Sequence, residues 1–177
     1  GGGAMHLNES FGSHPKLTYY CNHHEQASSM AAEAYARLEG LGVLVVTTGP
    51  GGINTLNGVV GAWLDSIPML IISGQVKRET MIPKNSGLRQ LGIQELNICD
   101  IVRPITKYAE VITEADKIKY HLEKAIFLAK SGRGGPVWLD VPLDIQSTYI
   151  AEDSLVGFHP SLEKPLFNKE NLVSKVK

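Results

Sequence analysis

Val43-Leu44-Val45-Val46-Thr47-Thr48, followed at once by Gly49-Pro50-Gly51-Gly52, is the stretch on which the fold turns. Residues 43–48 are apolar or β-branched without interruption, the pattern of a strand buried on both faces, and such strands belong to parallel sheets covered by helices. The glycines and proline then turn the chain into a small-residue helix predicted over 53–64. The same reading extends outward. Residues 68–73 (PMLIIS) and 137–141 (VWLDV) are further buried strands, 16–21 (KLTYYC) is an aromatic, β-rich strand, and 106–112 is a candidate strand. Between them, Ala27, Met30, Ala31, Ala34 and Leu38 mark a helix over 25–39, stopped by Gly40 and Gly42. Ile118, Leu122, Ala125, Ile126 and Ala129 mark another over 114–130, and shorter helices are predicted over 4–11 and 93–101. Strands alternating with helices predict an α/β fold, a parallel sheet with helices on both faces. Ligands of such sheets bind beyond the carboxyl ends of the strands, which places residues 22–26, 48–54 and 73–75 at the expected site.

Composition narrows the function classes. Of 177 residues 43% are hydrophobic and the net charge is −1, so the chain carries no electrostatic footprint for nucleic acid or an anionic membrane. No apolar run reaches the ~20 residues of a membrane helix. The 18 glycines fall at predicted turns rather than in a repeat. Cys21 and Cys99 form no CxxC pair or metal ladder; both read as small buried hydrophobes of a cytoplasmic protein. The opening Gly1-Gly2-Gly3-Ala4 runs straight into a helix, and is expected to be the cut end of something longer.

Taken singly, the motifs are modest. Gly49-Pro50-Gly51-Gly52-Ile53-Asn54 is neither GxGxxG nor a P-loop, and by itself reads as a tight strand-to-helix turn whose amides could cradle an anion or a ring edge. His23-His24-Glu25-Gln26 lacks the second histidine of HExxH, because position 28 is Ser28, so no metal ligands are assigned. Glu25 at a helix start is either a favourable charge on the helix dipole or a carboxyl held in a dry cleft. In the second case burial raises its pKa, against the dipole. Ser73-Gly74-Gln75 has half the shape of a nucleophile elbow. Arg133 reads as a solvent-facing loop residue and Asp65-Ser66-Ile67-Pro68 as a helix end.

In order along the chain, however, His24-Glu25-Gln26, Ala32-Glu33-Ala34-Tyr35-Ala36-Arg37, Thr48-Gly49-Pro50-Gly51 with Asn54, Asp65-Ser66-Ile67-Pro68, Ser73-Gly74-Gln75-Val76, Gln94-Glu95 and Ser131-Gly132-Arg133-Gly134-Gly135-Pro136-Val137 closely resemble the N-terminal pyrimidine-binding domain of thiamine-diphosphate enzymes of the acetolactate synthase type. The resemblance runs from residue 1 to about 146 and implies the thiamine-diphosphate-binding fold. It implies that Glu25 is the activating glutamate, whose carboxyl hydrogen-bonds N1′ of the aminopyrimidine so that C2 of the thiazolium loses its proton and attacks a 2-oxo acid. Decarboxylation and carboligation to an acceptor follow. By the same resemblance Pro50 and Asn54 contact the pyrimidine side of the cofactor, Gln94 reaches its reactive end, and Gly2 and Gly3 pass near the thiazolium.

Two departures bear on the acceptor, which they leave open. Ile93 stands where acetolactate synthases typically carry Phe, and His23 where Arg is common. Residues 88–95 look more like synthase-like homologues from bacterial surface-polysaccharide gene sets. The family binds diphosphate and Mg²⁺ through a Gly-Asp-Gly motif on a separate domain; no Gly-Asp-Gly occurs here. The resemblance therefore implies a piece of a longer protein: a domain over 1–146 lacking its first strand and helix, then a linker over 147–177 toward a middle domain. Alone it is expected to be inactive. The whole would be a homodimer or homotetramer built through the pyrimidine domain. Whether FAD is also required stays open. Two other readings are kept: another thiamine-diphosphate 2-oxo acid decarboxylase or lyase, and a non-catalytic α/β association module that uses its Ala- and Gly-rich helices.

Overall fold

A computed structural model describes residues 1–162; the end of the expected linker, 163–177, lies outside the described residues. Four strands, β1 (Gly42–Val46), β2 (Met69–Gln75), β3 (Tyr108–Val111) and β4 (Pro136–Pro142), form one sheet in the order β1-β2-β4-β3. Every pairing is parallel, and one row across the sheet reads Val43, Leu70, Val137, Tyr108. The central strands β2 and β4 are buried at every position, as their largely apolar sequences lead one to expect.

Alternate side chains feed two layers. Leu44, Val46, Met69, Ile71, Ala109 and Trp138 pack against α2 (Glu25–Glu39), α4 (Leu56–Asp65) and α5 (Ile98–Val102). Leu70, Ile72, Val137, Leu139 and Val141 pack against α6 (Ile118–Lys130), with Leu7 and Phe11 of α1 (Met5–Ser13) and Ile145 of α7 (Leu143–Gln146) completing that face. The expected sheet with helices on both faces is therefore present.

Local chemistry sets the boundaries. α2 starts where His24 Nδ1 accepts the Gln26 N–H at 3.1 Å, and ends at Gly40, whose left-handed φ of 81° lets its N–H reach the Ala36 carbonyl. α2 and α4 lie in direct contact because Gly58 has no side chain: a Cβ there would stand 2.5 Å from Ser29 Oγ. At the amino end of the sheet, Arg37 on α2 pairs with Glu33 and with Asp65 at the end of α4, while Arg133 Nε donates to Ser66 Oγ at 2.6 Å. Three of the sequence motifs are thus clamps between helix ends, remote from the carboxyl edge of the strands. The predicted helix over 53–64 is two helices, α3 (Pro50–Asn54) and α4, with Pro50 occupying a first-turn position where its missing N–H costs nothing.

Two expectations are corrected. Residues 16–21 do not form a strand: all six are exposed, Tyr20 86% so, and none pairs with a strand among the described residues. β-propensity makes a strand only where a neighbour takes up the backbone N–H and C=O groups. The fourth strand of the sheet is instead β3, inside the candidate stretch 106–112. Cys21, at the end of that segment, is exposed, whereas Cys99 is buried in the core as expected.

Candidate functional site

Beyond the carboxyl ends of β1 and β2 the chain makes three sharp passages that meet. The first is Thr48-Gly49-Pro50, between β1 and α3. Gly49 adopts φ 58°, open to glycine but strained for other residues, and a Cβ there would run into the backbone carbonyl of Gln94. Gln94 itself adopts φ 60°, so the second passage, 92–96, is turned sharply against the first. The third is Gly1-Gly2-Gly3. The Gly3 carbonyl occupies the space a Gly74 side chain would need, and it accepts a 2.7 Å hydrogen bond from Gln146 Nε2.

Glu25 opens α2 at the same end. Asn54, the last residue of α3, donates from Nδ2 to Glu25 Oε2 at 3.0 Å. Oε1 lies beside Gly51, 3.6 Å from where a Cβ would stand. Thr47 lies between Gly51 and Gly1, its methyl group 2.7 Å and 2.8 Å from their would-be Cβ positions. Gly2, Gly3, Glu25, Pro50, Asn54 and Gln94 are thereby gathered at one edge of the sheet. Glu25 and Asn54 are half-buried and hydrogen-bonded together; Gly2, Pro50 and Gln94 are exposed at the mouth.

The charge on Glu25 runs against the expectation of a raised pKa. Burial does push it up. The Asn54 amide, the residue's own N–H at the helix start and His24 outweigh burial and hold it below the usual glutamate range. It is therefore an ionised carboxylate at neutral pH.

Behind this edge lies a polar network that the sequence reading passed over. Thr48 Oγ1 donates to Gln75 Oε1 at 2.6 Å; Gln75 Nε2 donates to the Leu96 carbonyl at 2.8 Å and to Asp140 Oδ2 at 2.9 Å. Asp140 Oδ1 accepts from Ser73 Oγ at 2.5 Å, and Ser73 Oγ accepts from Trp138 Nε1 at 2.8 Å. Asp140 is fully buried, and burial pushes its carboxyl up to about 7 against the pull of Ser73 and Gln75. One sequence signal could have found it: a lone carboxylate inside an otherwise apolar buried strand demands partners. Glu95 closes the neighbouring loop, its Oε1 accepting the Ile82 N–H at 2.6 Å.

Comparison with known proteins adds independent findings. Residues 1–101 match the family described as thiamine pyrophosphate enzyme, N-terminal TPP binding domain. Acetolactate synthase 2, chloroplastic, of Zea mays is 37% identical over 171 residues, covering 93% of this chain and 26% of that protein. Acetolactate synthase, chloroplastic, of Arabidopsis thaliana is 39% identical over 147 residues, covering 82% of this chain and 21% of that protein. The chain thus spans about a quarter of the length of these relatives.

Proposed function

The chain belongs to the thiamine pyrophosphate enzyme family, through its N-terminal TPP-binding domain, and from that premise we propose that Glu25 is the acid that activates thiamine diphosphate in a longer, acetolactate synthase-like protein acting on 2-oxo acids. The observation that carries the reading is the placement of Glu25. Its carboxylate is fixed on one oxygen by Asn54 and has the other beside Gly51, at the carboxyl edge of a parallel sheet. A flat, nitrogen-bearing ring fits such a glycine-walled edge and would be held by Glu25 at a ring nitrogen. Pro50 and Asn54 would lie on the same side, with Gly2, Gly3 and Gln94 toward the reactive end.

When bound, thiamine diphosphate supplies the electron sink through which a 2-oxo acid loses carbon dioxide and its acyl carbon joins an acceptor. The chain's own contribution is to place one proton. Glu25 is ionised while its edge is open. Covering that edge strips water from the carboxylate, raises its pKa and lets it hold the proton it shares with the ring. We assign the cover to a second copy of the protein, with diphosphate and Mg²⁺ held by a domain outside residues 1–162. The exposed apolar side chains of α2 and α4, among them Tyr35, Leu38 and Leu64, supply a face for that contact.

The test is Glu25→Gln in the complete polypeptide. Gln keeps the size and one acceptor but cannot exchange a proton. C2–H exchange of bound cofactor, read by NMR after acid quench, should slow by ~10²–10⁴-fold while cofactor affinity changes far less. Unchanged exchange in a folded, cofactor-loaded variant would remove Glu25 from this role. Profiling 2-oxo acids with and without an acceptor separates a carboligase from a simple decarboxylase, and a protein that binds no thiamine diphosphate would be the association module instead.

A further inference from the structure

The Thr48–Gln75–Asp140 chain does more than satisfy buried polar atoms. Among the described residues, Gln75 is the one side chain that bonds both the first and the second passage of the site: Thr48 Oγ1, immediately before Gly49, and the Leu96 carbonyl, two residues beyond Gln94. Its amide has no freedom to reverse. Oε1 must accept from Thr48 and from the Val76 N–H at 2.9 Å, and Nε2 must donate to the Leu96 carbonyl. Asp140 Oδ2 accepts the remaining Nε2 proton and so locks that orientation from inside the sheet. The Thr48 passage leads within a few residues to Asn54, which fixes Glu25.

We infer that Gln75 and Asp140 are positioning residues for Glu25: through Thr48 and Leu96 they hold the two cofactor-facing passages in register, and through Asn54 they set the aim of the carboxylate. The inference rests on the reading of Glu25 as the activating acid. Ser73 provides the internal control. It bonds the other oxygen of Asp140 and Trp138 Nε1, and neither passage.

The experiment compares Gln75→Met, Thr48→Val, Thr48→Ser and Ser73→Ala in the complete polypeptide, with two measurements. Amide hydrogen exchange of the cofactor-free protein reads the passages 48–54 and 92–96. C2–H exchange at saturating thiamine diphosphate reads the aim of Glu25. Loss of the Gln75 or Thr48 bonds should speed amide exchange in both passages about tenfold while α6 stays protected, and should slow C2–H exchange about tenfold. Thr48→Ser, which keeps the hydroxyl, should restore both. Ser73→Ala should lower thermal stability and leave both readouts unchanged. If Gln75→Met does not fold, the Thr48→Val and Thr48→Ser pair decides. The inference is overturned if the Gln75 and Thr48 variants lose stability as Ser73→Ala does yet keep wild-type protection and C2–H exchange. Failure of the Glu25 reading shows separately, as unchanged C2–H exchange in Glu25→Gln; the amide readout on cofactor-free protein does not depend on it.

Discussion

Asn54 Nδ2 and Glu25 Oε2 meet across 3.0 Å, tying the end of α3 to the start of α2 at the mouth of the site. The bond favours the charged form of Glu25, so Asn54→Ala should move the Glu25 pKa upward. The same pair has a pH signature. A carboxylate held below its ordinary value stabilises the fold above that value, and the contribution is lost as pH falls through the lowered one. Because the pair is partly solvated, its worth is modest, about 0.5–1 kcal/mol. Carbon-13 NMR titration of the Glu25 carboxyl in wild type and Asn54→Ala checks the direction; a downward or absent shift contradicts it.

Gly58→Ala tests the contact between α2 and α4. In an isolated helix the change would help by up to ~1 kcal/mol. Here the new methyl group would stand 2.5 Å from Ser29 Oγ and 2.6 Å from the Ser29 carbonyl carbon, and backbone cannot step aside without moving a helix. Overpacking of this kind costs ~1–3 kcal/mol. Urea unfolding should therefore show a lower midpoint for the variant at an unchanged slope. A more stable variant would mean that the helices are not held this closely.

Much of this fold is legible in the sequence. Residues 68–73 and 137–141 announce strands buried on both faces, because such largely apolar runs call for helices on either side; 43–48 announce a strand as well, but β1 lies at the edge of the sheet and Val43 is 47% exposed, so only one of its faces is fully buried. α2 was legible to its end residues because His24, Glu25 and Gly40 carry its capping chemistry locally. What escaped depends on neighbours. KLTYYC at 16–21 has strand propensity but no strand beside it among the described residues. The Glu25 pKa depends on how much protein covers it. The Asp140 network requires the register that sets Ser73 opposite Asp140 on adjacent strands, and no local pattern reports that pairing.

The outer face of α2 supplies a prediction about assembly. Met30 is 48% exposed, Tyr35 59% and Leu38 85%, a run of apolar side chains on the helix that begins with Glu25. Introducing charge there, as Tyr35→Glu with Leu38→Glu, should split the complete polypeptide into smaller species in sedimentation velocity. C2–H exchange should fall in parallel, because an uncovered Glu25 stays ionised. A double variant that keeps its wild-type mass and activity would remove this face from the contact.

Asp140 makes the stability of the domain depend on pH in the direction opposite to that of Glu25. Its folded pKa is pushed to about 7 by burial, from an ordinary value of 3.8. Between those two values the folded chain holds a proton that the unfolded chain has released, so stability declines as pH rises through the window and levels off above it. Each pH unit within the window is worth up to about 1.4 kcal/mol, so the total is on the order of a few kcal/mol. Groups with lowered values act the other way. Asp144, whose bonds from Arg78 outweigh burial, loses its contribution as pH falls, so the raw pH profile of wild type mixes both signs. The difference between wild type and Asp140→Asn isolates the buried group, because asparagine cannot titrate and every other carboxyl is shared. Urea unfolding between about pH 4 and about pH 8 should show the wild type losing ground to Asp140→Asn as pH rises, with the gap constant above the folded pKa of Asp140. At any one pH the variant also carries the cost of an amide proton with no acceptor, since Ser73 and Gln75 both donate to that carboxylate. That cost offsets the two curves without tilting them. Parallel curves across the whole range would mean that Asp140 is already charged throughout and that its two donors compensate its burial in full.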